Sequence, residues 1–217
     1  MMASGASSEA LSEKHQVQMA LHLITIKYDQ YIKNSDNLKL LMGARYFHSV
    51  VKFQDSTLFM KSFQYTGKAR SGCTVNGFTD RLVAPPTIYI NRATATPATL
   101  VHELLHFLTH SNFREAFKDH PKAEEGVTEY FTRKVLGLAD AAKDMQGAFA
   151  VDRSGIYDEE HGDILMVRKL LREPAVVTSG RGARAAQDSS SKAPKGFLKK
   201  AYFLGDPDCI AILKSAF

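Results

Sequence analysis

Residues 96–110 read Thr-Pro-Ala-Thr-Leu-Val-His-Glu-Leu-Leu-His-Phe-Leu-Thr-His, with His102-Glu103-Leu104-Leu105-His106 at their centre. Thr96 suits a helix N-cap, and Pro97 suits the first helical position, where its missing N–H costs nothing. Leu100, Leu104, Phe107 and Leu108 recur at helical spacing, so the segment predicts an amphipathic helix. On that helix His102 and His106 stand one turn apart on one face, and both imidazoles can reach one metal ion. Glu103, beside the first histidine, is placed to act on a water activated by the metal rather than on the metal itself. A core helix with two hydrogen-bonded histidines fits the same five residues, so the surrounding sequence has to decide between the two.

Toward the N-terminus, Thr87-Ile88-Tyr89-Ile90-Asn91 alternates and is rich in β-branched residues, which predicts a short strand leading into the helix. Pro85-Pro86 breaks the chain before it, Gly72 and Gly77 bound a strand or hairpin over 71–82, and 56–66 reads as a further strand. Apolar residues at helical spacing predict helices over 9–32 and about 37–52, with residues 1–8 disordered. Toward the C-terminus, 111–121 reads as a connector. A second helix is expected from Pro121 or Lys122 to Gly137, with others over about 138–149 and 157–172. Residues 178–196 are rich in Ser, Gly, Ala and basic residues and read as a flexible basic linker or loop. The segment 197–217 regains enough apolar surface to be expected to dock on the domain formed by 9–177. The fold class expected is α+β: a small, mostly antiparallel sheet, a central helix bearing the two histidines, and a helical C-terminal part.

A length of 217 residues suits one domain with a sizeable core. The net charge is +5, and the region from Thr178 onward carries seven Lys/Arg against three Asp, so most of the excess lies in the tail. With no basic helix and no aromatic–basic interleaving, the expectation is no nucleic-acid partner. The N-terminus lacks a basic region followed by an apolar run, and no stretch reaches the ~18 apolar residues of a membrane span. A soluble protein without a cleaved signal peptide and with no membrane association is therefore expected. Two cysteines, Cys73 and Cys209, exclude a disulfide framework by count and leave one bridge open.

A catalytic zinc takes three protein ligands and keeps a fourth position open, so two histidines need a third partner. After His106, the 18 residues 107–124 lead to Glu125 within Glu124-Glu125-Gly126-Val127-Thr128-Glu129-Tyr130. This resembles the gluzincin branch of the zinc metallopeptidases, whose pattern is H-E-x-x-H, about eighteen residues, then E on a second helix. Glu125-Gly126 is also similar to the N-E-G segment of aminopeptidase-like gluzincins, with Glu124 where they carry Asn. The resemblance implies a zincin-like fold and a Zn2+ ion on His102, His106 and Glu125. It also implies hydrolysis of peptide bonds in a protein or peptide substrate, with Glu103 as general base. By the same resemblance to thermolysin-like enzymes, Glu129 is a candidate to hydrogen-bond the outer nitrogen of His102. Tyr157 first, then His161, are candidates to stabilise the oxyanion. Thr87–Asn91 is a candidate edge strand along which a substrate peptide lies extended.

Rival ligands remain open. Glu124 points about 100° away from Glu125 on a helix, and Asp119 would suit an aspartate-type zincin. A metzincin needs Gly at Thr109 and His at Asn112, and neither is present. His110 continues the i+4 row, but at about 12 Å of rise from His102 it is too far to share an ion. Over about residues 85–215, Glu125–Arg133 and Ala201–Asp206 resemble small H-E-x-x-H domains of bacterial polymorphic toxins and secreted effectors, which implies delivery by a specialised secretion system. A zinc amidase acting on cell-wall peptides is an alternative reading. A non-catalytic binding domain on the same scaffold is another, against which the retained Glu103 argues.

Overall fold

In the computed structural model, which describes residues 4–43, 47–66, 75–137 and 196–214, the motif helix is α5, Pro97–Leu108. Every residue from Ala98 to Leu108 is buried, as in a helix enclosed by other elements rather than lying on a surface. Its start is capped reciprocally. Thr99 N–H donates to Thr96 Oγ1 at 3.3 Å, and Thr96 N–H donates to Thr99 Oγ1 at 3.2 Å, a variant of the capping box. Its end is met as well. Arg81 Nη2 donates to His106 O at 2.8 Å and Asn37 Nδ2 to Phe107 O at 2.7 Å. These bonds satisfy carbonyls the helix cannot pair and set a cation at its negative pole.

The chain divides into two compact units, Met1–Leu108 with Phe131–Tyr157, and Thr109–Tyr130 with Asp158–Phe217. In the first unit, α1 (Ser4–Ile32) begins inside the stretch expected to be disordered; Ala6 there is a strong helix former. Its buried stripe of Val17, Leu21, Ile24, Tyr28 and Ile32 follows the helical period and packs against α5. Tyr28 meets Phe131 edge-on at 5.2 Å between ring centres.

The expected helix over 37–52 is instead two short helices, α2 (Asp36–Met42) and α3 (Phe47–Val50), followed by strand β1 (Val51–Gln54). Gly43 leaves the helical region and ends α2, and the Val50-Val51 pair favours extended chain beyond it. The expected strand over 56–66 is likewise corrected: Ser56–Tyr65 is helix α4. Asp55 caps it, accepting from Leu58 N–H at 2.9 Å, and Phe59 and Phe63 are buried one turn apart.

Strands β2 (Gly77–Asp80) and β3 (Thr87–Asn91) complete a three-stranded sheet in the order β1-β3-β2. β1 runs parallel to β3 and β2 antiparallel to it. The fold is α+β and mostly helical, and the sheet is mixed rather than mostly antiparallel. β3 is the central strand, not an edge, because β1, read from sequence as helix, occupies its other side. One sheet face carries Phe78 and Tyr89, stacked at 4.8 Å, under Phe59 and Phe63 of α4. On the opposite face Gly77 pairs with Ile90 and Thr79 with Ile88, and this face turns to α5.

In the second unit, the connector expected over 111–121 contains a helix, α6 (Ser111–Ala116). His110 caps it by accepting from Asn112 N–H at 3.1 Å, a role that helical spacing from His102 does not reveal. α7 (Pro121–Leu136), of which Phe131–Leu136 belongs to the first unit, starts after His120 and stops at Gly137, which takes a left-handed φ of 66°. The C-terminal segment forms α8 (Phe197–Lys199), a π-helical turn (Lys200–Leu204) and α9 (Pro207–Lys214). It is anchored by Tyr202. The Tyr202 ring lies edge-on to Phe113 at 5.1 Å, its carbonyl accepts from His110 N–H at 2.9 Å, and its hydroxyl lies 2.6 Å from Thr128 Oγ1. Among the described residues no helix is long and apolar enough to cross a membrane.

Candidate metal centre

The helical period of α5 brings the two motif histidines together. His102 Nε2 and His106 Nε2 are 3.1 Å apart, with ring centres 4.7 Å apart and planes at 72°. Both rings are buried, at 8% and 6% exposure. Two neutral imidazoles at this distance can share one N–H···N bond, or both can present lone pairs to one cation. Tetrahedral zinc with ordinary Zn–N bonds separates two nitrogens by about 3.3 Å, close to the spacing found. Glu125, half-buried on α7, completes the group: one ligand atom each from His102, His106 and Glu125 lie within 4.8 Å of one another. Two imidazoles and a carboxylate form a donor set suited to zinc, which with three protein ligands takes a water or substrate as its fourth. The residues therefore fit a metal ion. Among the described residues, neither rival, Glu124 nor Asp119, belongs to this group.

Glu103 is buried at 7% exposure, and its carboxylate is not a member of the ligand group. Thr79 Oγ1 of β2 donates to Glu103 Oε2 at 2.9 Å and lies 3.3 Å from Glu103 O. Gly77, two residues earlier on the same strand face, makes the approach possible. A Cβ there would stand 2.9 Å from Glu103 Cγ and 2.9 Å from Thr99 Cγ2, closer than side-chain carbons pack.

The outer nitrogen of His102 faces α7. Thr132 Oγ1 lies 3.5 Å from His102 Nδ1, at the outer limit of a hydrogen bond. Glu129, one turn beyond Glu125, is also buried. Thr79, Gly77, Arg81 and Thr132 are the residues at the site that sequence reading passes over. Thr132 alone had a signal, lying seven residues after Glu125 and so on the same helix face. Tyr157, His161 and Cys73 lie outside the described residues. Cys209 is a buried free thiol, pushed up in pKa by burial and by the carboxylate of Asp206. A thiol so placed is a poor nucleophile and a poor metal ligand.

Comparison with protein-family models, with curated proteins and with solved structures finds no match for this chain.

Proposed function

We propose that this chain is a zinc-dependent peptidase of gluzincin type, hydrolysing peptide bonds of a protein substrate. The reading is carried by the gathering of His102, His106 and Glu125 into one group of ligand atoms beside a buried Glu103. When bound there, a zinc ion supplies Lewis acidity, which acidifies water and polarises a carbonyl. Glu103 takes the proton of the attacking water and delivers it to the leaving amine, so it ends the cycle as the carboxylate it began as. Thr132 and Glu129 are the proposed partners of the outer nitrogen of His102, which keeps its Nε2 free for the ion. Tyr157, then His161, remain the proposed donors to the oxyanion.

The substrate strand is assigned to β2 instead of β3. Among the described residues β3 is paired on both sides and β2 on one, and only an open edge offers main-chain groups to an extended peptide. Action as a secreted effector follows from the toxin-domain resemblance alone and is part of the same proposal.

Zinc analysis with a cleavage assay tests the reading. Purified protein should carry about one zinc per chain and should cleave casein, and Glu103→Gln should keep the zinc and lose the cleavage. A folded protein that neither holds nor takes up zinc ends the proposal. Release of peptide stems from peptidoglycan, with casein intact, moves it to the cell-wall amidase class.

A further inference from the structure

We infer that strand β2 sets the working position of the Glu103 carboxylate, with Thr79 as its positioning residue and Gly77 as the gap that admits its stem. The inference rests on the reading of Glu103 as general base and adds the part of the chain that aims it.

Nothing within the motif fixes the carboxylate of Glu103. A glutamate has three side-chain torsions, and the helix restricts chiefly the first. β2 supplies the missing constraint at two points. At the stem, Gly77 leaves room for Glu103 Cγ where any Cβ would stand 2.9 Å away. At the head, Thr79 Oγ1 donates to Oε2 at 2.9 Å, inside a site where both residues are buried. A hydroxyl has one proton, and here two acceptors compete for it: Oε2 at 2.9 Å and the Glu103 carbonyl at 3.3 Å. The shorter, charge-assisted bond to the carboxylate prevails. Among the described residues no protein group bonds Oε1, so one oxygen is anchored and the other is left for a water. The alternation of β2 makes this compatible with the sheet. Phe78, between the two, points to the other face and packs on Phe59 and Phe63.

The test compares Thr79→Val, which keeps the shape and removes the hydroxyl, with Thr79→Ser, which keeps the hydroxyl. Crystal structures of the zinc-loaded wild type and both variants give the Glu103 rotamer without reference to activity. Steady-state kinetics on a fluorogenic casein peptide give kcat and KM. The expected result is a turned Glu103 carboxylate in Thr79→Val and a wild-type rotamer in Thr79→Ser, with about one zinc per chain in all three. Thr79→Val should lower kcat ~100-fold at unchanged KM, and Thr79→Ser should recover most of it. An unmoved carboxylate in Thr79→Val, or a Thr79→Ser no better than Thr79→Val, overturns the inference. If the wild type cleaves nothing, the peptidase reading fails, and the rotamer comparison still decides whether Thr79 positions Glu103.

Discussion

Gly77→Ala places one methyl group at the closest approach of β2 to α5. The added carbon would meet Glu103 Cγ and Thr99 Cγ2, each at 2.9 Å, and Ile90 Cδ1 at 3.3 Å. Carbons in contact rest at about 3.5–4.0 Å, so strand and helix must part by roughly 0.6–1 Å. None of the three neighbours is the free end of an exposed chain: Thr99 and Ile90 are buried and Glu103 is held at its head. Overpacking of this kind costs ~1–3 kcal/mol. Replacing glycine in the unfolded chain returns ~0.4–1 kcal/mol, so a net loss of between ~0 and ~2.6 kcal/mol remains. Such a loss leaves a domain of ordinary stability folded. Catalysis suffers more, because a displacement of ~1 Å at a reacting group costs ~100-fold in rate. The expected variant is thus folded, zinc-loaded and nearly inactive. Urea titration followed by circular dichroism gives the stability, and cleavage of labelled casein gives the rate. A Gly77→Ala protein that matches the wild type in both would show that β2 does not press on Glu103, and the positioning argument would fall with it.

Glu125→Ala removes one of three ligands and should lower zinc affinity in a chelator competition; unchanged affinity would return Asp119 and Glu124 as ligands. Glu103→Gln retains an acceptor for Thr79, so it should fold and hold zinc as wild type while kcat falls at least ~100-fold, and a variant still turning over would refute the base assignment. His110 has its pKa lowered from 6.5 by burial and by Arg114, so its contribution to stability is present above that value and is lost as pH falls through the folded pKa. Neutral Nδ1 caps α6, and His110→Asn keeps a cap without the titration. The wild type should therefore lose more urea resistance than His110→Asn between pH 7.5 and pH 5, and parallel losses would exclude His110 as the cause. Tyr202→Phe deletes the buried hydroxyl that meets Thr128 at 2.6 Å and should cost ~1 kcal/mol in urea; no change would mean that hydroxyl pair adds nothing.

The parts of this fold that a reader of the sequence can find are those with a local signal. Thr96 and Pro97 announce the start of α5, Pro121 and Gly137 bracket α7, and β-branched alternation marks β3. The misreadings share a cause, which is that short apolar runs carry no decisive period. Val51 and Lys52 fall at the end of the apolar pattern that reads as a helix over 37–52, yet pairing with β3 makes Val51–Gln54 strand β1. Leu58-Phe59-Met60 looked like a strand, yet Asp55 capped a helix with Phe59 and Phe63 on one face. A single strand missed in this way also moved β3 from the edge to the middle of the sheet.

The candidate site divides along the same line. His102 and His106 are joined by helix geometry, and the spacing to Glu125 follows a pattern that can be matched along the chain. Glu103 is different, because its identity is local and its orientation is not. Thr79 stands 24 residues before it and Gly77 still further, in a strand whose distance from α5 no one-dimensional pattern encodes. A chain can therefore keep every residue of H-E-x-x-H and still misplace its base. Catalytic competence should track the pair Gly77 and Thr79 as closely as it tracks the motif itself, and metal binding should not.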